Sequence, residues 1–207
     1  MIDGALLTRN LLRLYRARTE QDDILGTAWY PAAHHIVCKW SDTYGYSIAT
    51  VACVIAAISP HCPWERNLII ADDILAGQPA SIGGGIRANI RKAEHIRDDR
   101  AGSTLSYFPC GPKVNSFSAN LKGNYDEVTV DTHAIQAAVN DVQTNLSLKW
   151  HRYTIFAAAY SRAATKANRE PAEFQAILWH TWKRLHPRAS KIQERKQWHV
   201  CGELEGD

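Results

Sequence analysis

Two side chains in one short stretch of this chain of 207 residues can do chemistry together: Lys113 and Asp131, 18 positions apart. Lys113 follows Phe108-Pro109-Cys110-Gly111-Pro112, which reads as a tight turn between helical segments. Gly111 supplies backbone freedom there, and Pro112 is preset for the first turn of a helix. A helix that begins at Pro112 turns its free N–H groups and the positive end of its dipole toward any anion in front of it. Lysine in that first turn opposes the macrodipole, which favours acidic residues. Its presence points to a task, either meeting a phosphate or acting as an amine nucleophile. Asp131 stands in Val130-Asp131-Thr132-His133, ahead of an apolar helix. An aspartate there can be an N-cap and nothing more, or a carboxylate that stabilises a developing positive charge.

The elements that must position this pair read as helices with short breaks, so the expected fold class is all-α. Leu6, Leu7, Leu11, Leu12, Leu14 and Tyr15 form a helical stripe, with Arg9, Arg13 and Arg16 off it. Residues 48–58 read as a buried, alanine-rich helix closed by Ser59-Pro60. Pro63 suits the first turn of a helix over 64–75 that ends before Gly77. Gly83-Gly84-Gly85 opens a pattern carrying Ile86, Ile90, Ala93 and Ile96, and Pro171 starts a late helix with Phe174, Ile177, Leu178 and Leu185. Val128-Thr129-Val130 is strand-like but too short to build a sheet.

Taken together, Tyr107 to Asn115 and Val130-Asp131-Thr132-His133 resemble the helix-hairpin-helix DNA glycosylase superfamily, the group of endonuclease III and the 8-oxoguanine glycosylases. That family's hairpin reads approximately L-P-G-V-G-x-K-T-A and is followed by V-D-T-H. The resemblance implies a two-lobed helical fold with the active site in the cleft between lobes. Residues 41–145 would form the six-helix lobe with the hairpin, and 1–40 plus 146–207 the second, basic lobe. It implies Lys113 and Asp131 as catalytic residues, with Cys110, Gly111, Pro112 and Val114 along the DNA backbone. Ala56 to Trp64 is similar to a family stretch whose polar side chain fills the gap left by an extruded base, a place taken here by His61. Ser59, Trp64, Phe117, His133 and Trp179 would line the substrate pocket. The implied activity is cleavage of the N-glycosidic bond of a flipped, modified base in double-stranded DNA by a monomer without a cofactor. Lys113 favours bifunctional chemistry, a Schiff base followed by strand cleavage. Pro109 and Cys110 depart from the hairpin pattern, and the four-cysteine cluster of endonuclease III has no counterpart, so no iron–sulfur cluster is expected. Two other readings are a phage-type enzyme that uses this fold to hypermodify bases, and a catalytically inactive DNA-binding module.

Composition fits these expectations. The chain is 45% hydrophobic and 22% charged, which excludes a largely disordered protein. Residues 149–200 carry 11 Lys/Arg against 3 Asp/Glu, consistent with a polyanionic partner. No apolar run reaches the length of a membrane span, and no secretory signal is evident at Met1-Ile2-Asp3-Gly4. Five scattered cysteines without a CxxC pair point to a reduced, cytoplasmic setting. His34, His35 and Cys38, or His199 and Cys201, make no convincing ligand set, and no metal is expected.

Overall fold

The structure is a computed structural model that describes residues 2–80, 87–99, 111–146 and 149–187. Among the described residues it is all-helical, with no strand. The helices are α1 (Gly4–Arg16), α2 (Glu20–Tyr44), α3 (Ile48–Ile58), α4 (Trp64–Leu75), α5 (Arg87–Asp98), α6 (Pro112–Leu121), α7 (Thr132–Val139), α8 (Trp150–Ala167) and α9 (Pro171–Leu185). No single described helix is long and apolar enough to cross a membrane.

The chain divides into two compact units. The first draws its described residues from Met1–His34 and Gly111–Ala189, the second from His35–Cys110. Residues 111–145, grouped above with 41–110, fall in the first unit, because the apolar face of α7 is covered by α1, α8 and α9. Val128, Val130, Ala134, Ile135 and Ala138 enter the same core as Leu7, Leu11, Tyr153, Phe156, Tyr160, Phe174 and Trp182.

Local chemistry explains the helix ends of this unit. Asp3 caps α1, its carboxylate accepting from the Ala5 N–H at 2.8 Å. Thr19 and Asp22 bond reciprocally at the start of α2, each side chain taking the other's backbone N–H at 3.2 and 2.8 Å. Pro171 occupies the first turn of α9. Pro31 lies inside α2 and removes a helical N–H there. Gly26 lets α2 approach α9 closely, since a Cβ at that position would overlap the Ile177 backbone. Arg184 of α9 pairs with the buried Asp22 at 2.8 Å.

In the second unit α3 is buried on nearly every side and packs on α4 and α5. Ser47 caps α3, accepting from the Thr50 N–H at 3.0 Å. Pro63 stands one residue before α4, where its fixed φ suits the cap. The Asn67 side chain donates to the Ile55 carbonyl at 3.0 Å and Arg97 to that of Ile74 at 3.0 Å, tying these helices together. The Gly83 to Gly85 run lies outside the described residues.

Candidate active site

Lys113 sits in the first turn of α6, half-buried, with no acidic residue in that turn. Gly111 is the N-cap in extended conformation and Pro112 is the first helical residue, as the turn chemistry requires. The anion-facing end is narrower than four free N–H groups. Pro112 has none, and the Val114 N–H is taken by the Gly111 carbonyl at 3.0 Å. The Lys113 ammonium forms no ion pair among the described residues.

The path from α6 to Asp131 is held by buried polar groups. Asn120, fully buried, donates to the carbonyls of Asn124 and Glu127 at 2.9 and 2.8 Å and accepts from the Thr129 hydroxyl at 2.7 Å. His34 donates to the Leu121 carbonyl at 2.8 Å, which closes the end of α6. This is how His34, considered above as a metal ligand, is engaged. The Tyr153 hydroxyl donates to the Val128 carbonyl at 2.8 Å and accepts from the Val130 N–H at 3.0 Å. Buried Val128 and Val130 then fix the backbone on either side of Thr129.

Asp131 is the N-cap of α7, with its Oδ1 accepting from the Ala134 N–H at 2.7 Å. Tyr160 donates to the carbonyl of that same Ala134 at 3.1 Å, so the first turn of α7 is held from two sides. No hydrogen bond to Oδ2 is formed among the described residues, which leaves one oxygen of the carboxylate uncommitted. Burial raises the phenol pKa of Tyr30, Tyr153 and Tyr160, with the charge of Asp131 adding to it and, at Tyr153, coming after that of Glu127.

His133 and Trp179 are brought together, ring edge to ring face, with centroids 6.2 Å apart. The buried Nδ1 of His133 has no hydrogen-bond partner among the described residues. Lys183 lies over the Trp179 ring at 4.3 Å, a cation–π contact. His180 flanks the same ring at 5.1 Å, and burial lowers its pKa.

Phe117 is 7% exposed and packs against Trp29 with centroids 6.0 Å apart, which gives it a core role. Ser59, His61 and Trp64 belong to the second unit. Ser59 donates to the Ala56 carbonyl at 2.8 Å at the end of α3, and Trp64 opens α4. His61, exposed, adopts a left-handed φ of 60°, which costs a non-glycine residue free energy. Cys110 lies outside the described residues. An open groove lined by Tyr15, Arg18, Asp126, Asn168, Arg169 and Glu173 contains none of the candidate residues. Among the described residues no three His, Cys, Asp or Glu side chains are grouped to hold a metal ion.

A lysine at one helix start and a capping carboxylate at the next lie in one compact unit, all-helical among the described residues. The chain belongs to DUF7178, a family of unknown function, whose model matches residues 3–186. No curated protein and no solved structure matches it.

Proposed function

We propose that the chain is a DNA glycosylase of the helix-hairpin-helix type, with Schiff-base lyase activity at the abasic site. The observation that supports this reading is that Lys113, in the first turn of α6, and Asp131, at the cap of α7, fall in one compact unit. A helix-stability argument accounts for Asp131 alone. It does not account for a lysine at the positive end of α6.

The chemistry follows from the two groups. A glycosylase extrudes the target nucleotide from the duplex at a cost of a few kcal/mol. As the C1′–N bond breaks, the base leaves with the bonding electrons and the sugar gains oxocarbenium character. The uncommitted oxygen of Asp131 stabilises that charge. The Lys113 amine attacks C1′ and passes a proton to the carboxylate. Ring opening then gives the Schiff base, and loss of the C2′ proton expels the 3′ phosphate with cleavage of the C3′–O bond. His133 and Trp179 offer an imidazole nitrogen and an aromatic face suited to a planar base.

The test is incubation of the full chain with duplexes bearing uracil, thymine glycol, 8-oxoguanine, 5-hydroxymethyluracil, alkylated purines or a plain abasic site, with borohydride present. A covalent adduct with the wild type that is missing with Lys113→Gln is the expected result, and the duplex that gives it names the substrate. Alkali-labile sites without an adduct would replace Lys113 by water as the nucleophile. No adduct and no base release on any duplex would overturn the reading.

A further inference from the structure

Helix α1 carries a feature that the proposed chemistry does not use. Leu7, Leu11 and Leu14 are buried along one side. At roughly 100° per residue, Arg9, Arg13 and Arg16 fall within an arc of roughly 60° on the opposite side. All three are exposed. Among the described residues none of them has a carboxylate or other partner, whereas Arg18, Arg97, Arg169 and Arg184 each pair with an aspartate or glutamate. Gly4–Arg16 contains no acidic residue at all.

Helix energetics do not require this arrangement. Arg13 and Arg16 lie in the last turn, where cations are favoured by the dipole. Arg9 gains nothing from that, and like charges three and four positions apart repel on a helix. The repulsion vanishes when each guanidinium meets a phosphate. Arg9 to Arg16 spans about 10 Å along the axis, a length over which a duplex presents several backbone charges, one per about 1.7 Å of its axis.

The stripe is also fixed relative to the proposed site. Asn10, adjacent to Arg9, donates to the carbonyls of Ala138 and Val139 at 2.9 and 3.4 Å. That fastens α1 to the end of α7 opposite Asp131, about 12 Å away along the helix. We infer that the exposed edge of α1 binds the sugar–phosphate backbone of DNA, with Arg9, Arg13 and Arg16 each meeting a phosphate. This rests on the DNA reading of Lys113 and Asp131.

The experiment measures binding of the full chain to an unmodified duplex by fluorescence anisotropy between 50 and 200 mM salt, roughly the range over which phosphate contacts are read out. Wild type is compared with R9Q/R13Q/R16Q and with R9K/R13K/R16K, after thermal melting confirms that each is folded. Each phosphate contact contributes about 0.9 to the slope of log affinity against log salt. The glutamine variant is expected to have a slope shallower by about 2.7, and the lysine variant to keep the wild-type slope. If the glutamine variant unfolds, the single variants carry the test, each shallower by about 0.9. An unchanged slope overturns the α1 assignment while leaving Lys113 and Asp131 to the borohydride adduct. Failure of the wild type to bind any duplex overturns the DNA reading along with it. Binding to vesicles of anionic phospholipid in place of duplex would assign the stripe to a membrane surface and overturn the proposal.

Discussion

Tyr153 takes the backbone N–H of Val130 on its phenol oxygen at 3.0 Å, one residue ahead of Asp131. The same hydroxyl donates to the Val128 carbonyl at 2.8 Å, so one side chain of α8 satisfies two buried backbone groups. Tyr153→Phe keeps the ring and its packing but leaves both groups without a partner. The expected loss is about 1–3 kcal/mol of stability, read by urea denaturation. In the proposed mechanism the loosened backbone also moves the carboxylate, so single-turnover base release should fall about 10-fold or more while duplex binding holds. Unchanged stability would remove Tyr153 from the role of positioning Asp131.

Asp131 serves as a cap and, in the proposed function, as the catalytic carboxylate, and the two roles separate by substitution. Asparagine caps a helix about as well as aspartate, whereas alanine costs about 1 kcal/mol. Asp131→Asn should therefore melt close to wild type and Asp131→Ala several degrees lower. Both should lose base release on the duplex that traps the wild type. Full activity in Asp131→Asn would leave the cap as the residue's whole role.

How much of this was legible in the sequence depends on what each helix buries. Helices α1, α3, α4 and α9 announce themselves through leucine and isoleucine spacing and through Pro63 and Pro171. Helix α2 does not. Its buried positions are Asp22, Gly26, Tyr30, Ala33 and Val37, a regular helical stripe of mixed polarity that a hydrophobic pattern cannot display. Lys113 and Asp131 stood out by residue type and spacing. Asn120, Tyr153 and Tyr160 did not, because a buried asparagine or tyrosine looks in sequence like an exposed one. Their roles arise only when α8 and the loop before α7 meet.

Gly26 is buried in that stripe and faces the Ile177 backbone. In an exposed helix Gly→Ala would stabilise by about 1 kcal/mol. Here the added methyl would overlap main-chain atoms of α9, which cannot move aside as a flexible side chain would. Gly26→Ala should destabilise by about 3 kcal/mol, the opposite sign to the propensity expectation. A raised melting temperature in this variant would show that α2 and α9 do not approach at that point.

The Asp22–Arg184 pair makes a prediction in pH. Burial by itself would raise the Asp22 pKa. Hydrogen bonds from Arg184 and Thr19 outweigh it, and the carboxyl is held below its ordinary value. A depressed folded-state pKa means that the contribution is fully present above the ordinary aspartate pKa and is lost as pH falls through the folded value. Asp22→Asn should lower stability at pH 7 by about 1–2 kcal/mol, discounted for the partly exposed Arg184. For a chain of this size that is roughly 3–6 °C in melting temperature. The gap should close as pH falls below the ordinary aspartate value and on through the lowered folded one, where the wild-type carboxyl takes up its proton. Melting curves of the two proteins across that range check it. A gap that stays constant from neutral to acid pH would mean that the Asp22 charge contributes nothing to holding α2 against α9.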